Sequence, residues 1–154
     1  MKISRKTDYA LRALFTLVEN YGGSPIPIGE LARRNDVPKK FLEHIMLDLK
    51  KKSWVDSVSG ARGGYVLARD PSKIMMGEVI RYFDGILAPI NCVSISNYQK
   101  CSQEHVCRFR RLFLNARNYL ATLLDNSSLA LVLQGSPVTH EEVFLEKLTD
   151  GAGI

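Results

Sequence analysis

The sequence lacks long apolar runs: no stretch approaches the roughly 18 consecutive apolar residues that a membrane-spanning helix requires. A membrane partner is therefore not expected. Met1 and Lys2 make a basic start, but Asp8 and Arg12 interrupt the apolar stretch that follows and no small-residue cleavage site appears. A secretory leader is not expected either, and the reading is a cytoplasmic protein. Neither G-x-x-x-x-G-K-[ST] nor G-x-G-x-x-G occurs, which removes the common phosphate-cradling loops. The three histidines, His44, His105 and His140, fall in separate elements, and nothing resembles a nucleophile–base pair, so the chain does not read as an enzyme. Cysteine is scarce as well, with three residues and no fourth. In the cytosol that number does not make a disulfide framework, and metal or redox use takes its place. Internal repeats and low-complexity tracts are absent.

What is present suits one compact soluble domain, or one plus an appendage: 154 residues, 45% apolar and 24% charged. The net charge of +5 is unevenly placed. Residues 1–70 hold 13 of the 21 Lys and Arg and 8 of the 16 Asp and Glu, while residues 71–154 hold 8 of each. All of the basic excess lies in the first half, an electrostatic footprint for a polyanion.

Residues 4–21 carry Ala10, Ala13, Leu14, Leu17, Val18 and Tyr21 at helical spacing, widened by Leu11 and Phe15, and Gly22-Gly23-Ser24-Pro25 ends the helix. A short helix over about 28–34 precedes a tight turn at Asn35-Asp36-Val37-Pro38. Pro38 suits the first turn of the next helix, where its missing N–H costs nothing. That helix runs to about Lys52, with Phe41, Leu42, Ile45, Met46 and Leu49 inward. Two strands, Trp54–Ser59 and Tyr65–Ala68, are joined by Gly60-Ala61-Arg62-Gly63-Gly64, a turn able to take positive φ.

A fourth helix starts at Pro71-Ser72, carries Met76, Val79, Ile80 and Phe83, and stops at Asp84-Gly85. Residues 86–106 are irregular. A long helix over about 107–131, with Phe109, Leu112, Phe113, Ala116, Leu120, Leu123 and Leu124 on its apolar side, would span roughly 37 Å. That is more than a small domain covers by itself, so a second subunit is the natural partner for the stripe. Thr139 and Glu142 match a capping box before the last helix, with Val138 and Val143 as a hydrophobic staple. Gly151-Ala152-Gly153 is expected to fray.

The expected fold is mainly α with a small β-hairpin, a winged helix-turn-helix plus a long dimerisation helix. It divides into a DNA-binding domain (1–85), a cysteine sensor loop (86–106) and a dimerisation and C-terminal part (107–154). Helix, helix, tight turn, helix and hairpin in this order fit double-stranded DNA. A helix about 10–12 Å across enters the major groove, where each base pair shows its own donor and acceptor pattern. Pro38, Lys39 and Lys40 open the third helix, and the residues at that end reach bases while flanking cations meet phosphates. Glu43 on the same side suits a cytosine amine. Arg62 at the hairpin tip is free to enter a minor groove.

Cys92, Cys101 and Cys107 are spaced C-x8-C and C-x5-C within a polar loop. Three thiolates from one loop suit a soft metal centre such as an iron–sulfur cluster, although the spacing matches neither zinc ribbons nor ferredoxin runs. Redox thiols and a zinc site are the other readings. A fourth ligand must be oxygen or nitrogen: His105 is near in sequence, and Asp8 could come from elsewhere in the fold or from a partner chain.

Taken together, Lys6-Thr7-Asp8-Tyr9-Ala10, Val37-Pro38-Lys39-Lys40-Phe41-Leu42, Arg62-Gly63-Gly64-Tyr65-Val66-Leu67 and the cysteine triplet before a long helix resemble a family of bacterial regulators. It is the family that includes the iron–sulfur regulator IscR, the nitric oxide sensor NsrR and the cysteine regulator CymR. The resemblance covers nearly the whole chain. It implies a homodimer built on the long helices and reading a palindromic operator, with Cys92, Cys101 and Cys107 holding a [2Fe–2S] or [4Fe–4S] cluster. Two departures stand out. The first cysteine gap is longer than the five residues commonest in the family, as in similar iron-responsive members. The place three residues past the last cysteine, a histidine ligand in IscR-like members, is Arg110 here. In the nitric oxide sensors an acidic residue near the N-terminus of the other subunit can serve, and Asp8 matches that position. The implied function is a transcriptional regulator sensing iron, redox state or nitric oxide through a cluster, or a cluster-free thiol-switch or ligand-sensing repressor of the same fold.

Overall fold

A computed structural model describes residues 2–85 and 87–149. The expected fraying of Gly151-Ala152-Gly153 lies outside these residues. Helix α1 (Arg5–Glu19) starts where Ser4 accepts a hydrogen bond from the Thr7 N–H at 3.2 Å, an N-cap that satisfies one orphan donor. Its face of Ala10, Ala13, Leu14, Leu17 and Val18 forms the centre of the core. The helix ends two residues earlier than its pattern suggests, and Tyr21 lies exposed beyond it. Gly22 takes φ +79° there, which turns the chain.

Helices α2 (Ile28–Asn35) and α3 (Lys39–Lys51) pack on α1 and on each other. The turn between them rests on Asp36 in the left-handed region, φ 52° and ψ 50°, with its N–H returned to the end of α2. Pro38 stands at the N-cap of α3, one place before the helical first turn. Leu42, Ile45, Met46 and Leu49 are buried. Phe41, expected inward, lies instead 40% exposed at the rim of the core, edge-on to Tyr9 with ring centroids 5.7 Å apart. Asp48 ties α3 to α1. Its carboxylate accepts from Lys6 at 2.8 Å and from Lys51 at 2.9 Å, and these two hydrogen bonds, Lys6 foremost, hold its carboxyl below the ordinary range.

Strands β1 (Val55–Val58) and β2 (Gly64–Leu67) form the antiparallel hairpin, pairing Val55 with Leu67 and Val58 with Gly64. Gly60 takes φ +110° in the turn. Gly64 is needed for a different reason, because a Cβ there would sit 2.3 Å from the Ile26 carbonyl oxygen. That closeness lets Ile26 and Tyr65 exchange two backbone hydrogen bonds, at 3.0 and 2.9 Å, so the chain before α2 becomes a third line beside the wing. Trp54, fully buried just before β1, meets Tyr82 edge-on at 5.6 Å.

The helix expected from Pro71 divides in two: a 3-10 turn at Pro71–Lys73 and α4 (Met76–Asp84). The break follows from Ile74, which turns into extended backbone and enters the core. The long helix also divides. Helix α5 covers Arg110–Asp125, and a separate α6 covers Leu129–Leu133. Three interactions stop α5 from running on to 131. The Met76 N–H donates to the Ser127 carbonyl at 2.8 Å, the Leu129 N–H donates to the Ile74 carbonyl at 2.9 Å, and the Ser128 hydroxyl caps α6. They bring Leu129, fully buried, back into the core formed by α1.

Helix α7 (His140–Thr149) begins with the expected capping box. The Thr139 N–H donates to Glu142 at 2.6 Å, and the Glu142 N–H donates to the Thr139 hydroxyl at 3.2 Å. Val138 and Val143 both stay more than half exposed, so they do not staple this end. Among the described residues no helix is long and apolar enough to cross a membrane.

If α6 is part of the same core as the winged helix, Leu129→Ala should cost about 2–5 kcal/mol, the range for a buried leucine truncated to alanine. Urea unfolding followed by Trp54 fluorescence would read this as a lower midpoint in a single transition. An unchanged midpoint would place α6 outside the cooperative unit.

Candidate nucleic-acid interface and cysteine loop

Burial of one side of α3 decides what its other side offers. Lys39, Lys40, His44 and Leu47 are exposed and Glu43 is half-buried. Among the described residues, Lys39 and Lys40 make no hydrogen bond or ion pair. Neighbouring cations differ in this respect. Arg33 and Arg34 both bind Glu30 at 2.8 Å, Lys6 and Lys51 share Asp48, and Lys50 pairs with Asp56 at 3.6 Å and with the Ser57 hydroxyl. The Arg33 and Arg34 hydrogen bonds lower the Glu30 carboxyl to about 2. Arg62 projects from the hairpin turn, exposed and without a partner among the described residues. Among the cations around α3, those at its start are thus left unpaired, as is Arg62 at the wing tip. His44 and Leu47 were not singled out from the sequence, although the i, i+4 spacing of Lys40 and His44 places them on one face.

Asp8 lies on α1, where its two carboxylate oxygens accept from Arg12 at 3.1 and 2.8 Å. A negative charge in the first turn of a helix is favourable in itself. Its side chain remains 45% exposed.

The segment from Leu87 to Phe109 is irregular apart from a 3-10 turn, Asn91–Val93, which packs against α5. Two arginines of α5 hold that turn. Arg110 donates to the Cys92 carbonyl at 3.0 Å, and Arg117 donates to the Val93 carbonyl at 2.9 Å. Arg110, at the place where the resemblance puts a histidine ligand, also pairs with Glu104 at 3.4 Å. Glu104 accepts from the Tyr98 hydroxyl at 2.9 and 3.0 Å, and that hydrogen bond is the main cause of its lowered carboxyl pKa, ahead of the Arg110 charge. Cys92 and Cys107 line one cleft of about 410 Å³ between this loop and α5, together with Glu104, Arg110, Arg111 and Arg117. Cys101 is exposed and outside the lining, though the Glu104 N–H donates to its carbonyl at 3.2 Å, placing it one turn from the cleft wall. His105 is exposed and does not line the cleft.

An iron–sulfur centre on these positions would find a suitable donor set. Its chemistry fits, since all three cysteines are free thiols on one loop, two border a shared cleft, and three guanidinium groups surround that cleft. Among the described residues no three His, Cys, Asp or Glu side chains are gathered as a preformed cation site. Holding a cluster therefore requires the three thiols to be drawn together.

The Rrf2 family profile, described as an iron-dependent transcriptional regulator, matches residues 3–135. A protein of Rhodobacter capsulatus named as an rrf2-like HTH-type transcriptional regulator is 39% identical over 142 residues, covering 88% of this chain and 95% of its own. The HTH-type transcriptional regulator CymR of Bacillus subtilis is 30% identical over 129 residues, covering 84% and 87%. The solved structure of that CymR, described as the global cysteine regulator, superposes with a TM-score of 0.76 at 26% identity over 89% of this chain and 99% of its own. IscR of T. potens superposes with a TM-score of 0.68 at 29% identity over 87% of each chain. With the helix-turn-helix and wing in place and the profile spanning both halves, the chain belongs to the Rrf2 family of winged-helix, DNA-binding transcriptional regulators.

Proposed function

We propose that this regulator is a homodimer that reads a palindromic operator through Pro38, Lys39, Lys40 and Glu43 of α3 and Arg62 of the wing. Its affinity is set by an iron–sulfur cluster, [2Fe–2S] or [4Fe–4S], on Cys92, Cys101 and Cys107. The observation that carries the reading is the placement of unpaired cations. Lys39, Lys40 and Arg62 are left free where most neighbouring basic side chains are neutralised by carboxylates of the chain itself. Lysines so placed neutralise phosphates and release counterions, and Glu43 beside them discriminates base edges. In this reading residues 1–85 are the reader, 86–106 the sensor loop and 107–154 the dimer-forming part. Such a protein works in the cytoplasm, where the operator is.

Dimerisation is supported by α5. None of its residues is buried in the single chain, and Phe109, Leu112, Tyr119 and Leu123 are 63%, 66%, 74% and 51% exposed. With Ala116 these positions recur at intervals of three and four, the seam of a coiled coil. They point away from the face of Arg110, Leu114 and Arg117 that lines the cleft. A second copy presenting the same seam covers both stripes isologously. Tyr119, absent from the sequence-based stripe, is its most exposed member.

When bound, the cluster supplies a centre that iron supply, oxygen or nitric oxide alters. The protein's own part is to seat Cys92 against α5 through Arg110 and Arg117, so that the loop and the dimer helix move together. Asp8 is the proposed fourth ligand, from the partner subunit, with His105 as the other candidate. Asp8 would have to leave Arg12. A second reading, a thiol switch without a cluster, is favoured by one observation: Cys92 and Cys107 share a cleft that Cys101 does not line. The likeness to CymR supports it equally.

Anaerobic purification with iron and sulfide analysis separates the two readings. A visible charge-transfer band, lost in Cys92→Ser, Cys101→Ser or Cys107→Ser, is expected; colourless wild-type protein without iron leaves the thiol switch. Asp8→Ala should lower iron content while His105→Ala does not, and the reverse result would reassign the ligand. For DNA, Lys39→Ala and Lys40→Ala should each reduce the salt slope of operator binding by about one unit. Arg62→Ala should weaken binding most at sites with a narrow minor groove. Unchanged affinity after all three substitutions would contradict the interface. Leu112→Asp with Leu123→Asp should yield monomer in sedimentation, and a persisting dimer would move the interface elsewhere.

A further inference from the structure

Burial of Leu42, Ile45, Met46 and Leu49 leaves Lys40, Glu43, His44 and Leu47 together on the opposite side of α3, spaced at intervals of three and four. The first three carry charge or hydrogen-bonding groups. Leu47 carries neither, yet it is 53% exposed. It belongs neither to the core nor to the partly buried apolar residues packed against it. Phe41, the other exposed apolar residue of α3, rests edge-on against Tyr9. Leu47 is thus the apolar member of the face that carries the proposed DNA contacts. It stands beyond Lys40 by about 10 Å along the helix axis, or roughly three base-pair steps.

We infer that Leu47 packs against the C5-methyl group of a thymine and makes one position of each half-site selective for T·A. The inference rests on the reading above, in which α3 lies in the major groove. Base edges there present hydrogen-bond donors and acceptors, and thymine adds an apolar group, its C5-methyl. A leucine set against a donor or acceptor removes it from water without offering a hydrogen bond. Against the methyl group it covers two apolar surfaces at once. Lysine contacts to phosphate are indifferent to sequence, so the methyl contact adds selectivity where Lys39 and Lys40 add salt-dependent affinity.

The test uses the full chain and an operator duplex that it has selected in vitro, with binding read by fluorescence anisotropy at fixed salt. Each thymine is replaced in turn by deoxyuridine, which lacks only the C5-methyl group. The wild type is expected to lose about 4-fold in affinity at one thymine of each half-site, the factor that corresponds to burying one methyl group. Leu47→Ala should bind the unmodified operator more weakly and lose the sensitivity at that thymine. Leu47→Met should retain the sensitivity, and Lys40→Ala should bind more weakly with the sensitivity intact. Replacing that T·A pair by C·G should weaken wild-type binding, and 5-methyldeoxycytidine in place of the cytosine should recover part of the loss. A deoxyuridine effect of equal size in wild type and Leu47→Ala, or none at any position, overturns the assignment and leaves the α3 reading standing. Affinity unchanged in Leu47→Ala, Lys39→Ala and Lys40→Ala alike overturns both.

Discussion

Burial of Leu42, Ile45, Met46 and Leu49 against α1 is the constraint from which the rest of the molecule follows. Four apolar side chains on one side of a helix fix its rotation about its own axis. Each fully buried side chain of this kind contributes about 1.5–3 kcal/mol, far more than the exposed ion pairs around it. Once that face is spent, Lys39, Lys40, Glu43, His44 and Leu47 have nowhere to point but outward. Asp48, between Lys6 and Lys51, then limits slippage of α3 along α1. The wing is set by a second packing demand. Gly64 lets β2 touch the chain at Ile26, which places Arg62 at a fixed offset from α3. Helix α3 and the wing are thus held by one core, as the proposed reading of adjacent grooves requires.

The same core reaches the cysteine-loop side by a route that the order of elements conceals. Leu129 returns after α5 and packs under α1, while Arg81 of α4 pairs with Asp125 at the end of α5. At its other end α5 is fastened to the cysteine loop by Arg110 and Arg117. Helix α5 is therefore a strut between the loop and the winged helix, and its outer face is the stripe that the proposed second copy would cover. A rearrangement at Cys92 can change DNA affinity only if it favours one relative placement of two recognition helices over another. In a dimer built on α5, half-sites about one helical turn apart convert a small rotation of the strut into a mismatch in register.

Much of the reader was legible in the sequence because its signals are local. The 3.6-residue period of α1, the Asn35-Asp36-Val37-Pro38 turn and the glycine-rich hairpin each follow from a few neighbouring residues. The reason for Gly64 was not legible. Positive φ belongs to Gly60, whereas Gly64 answers a contact with Ile26, 38 residues away. The breaks at Ile74 and at Asn126-Ser127-Ser128 were missed because both depend on a pairing between two distant segments, each of which alone continues a helical pattern. Phe41 fits the inward face by spacing, yet Tyr9 occupies the rim beside it. The cysteine triplet was visible as a composition, but its geometry was not, since an irregular loop has no period from which to infer which side chains meet. That Arg110 and Arg117 would bind the carbonyls of Cys92 and Val93 has no sequence signature at all.

The chemical state of the Cys92, Cys101 and Cys107 loop is proposed to alter DNA binding through α5. The most direct test is fluorescence anisotropy with one operator duplex, selected in vitro by this protein, at fixed salt. Protein with the centre intact is compared with the same preparation after the centre has been removed anaerobically, and with Cys92→Ser. A change in Kd of about 5-fold or more is expected, the lower end of ordinary allosteric coupling, with Cys92→Ser fixed in the value of the treated protein. Equal Kd in all three would contradict it.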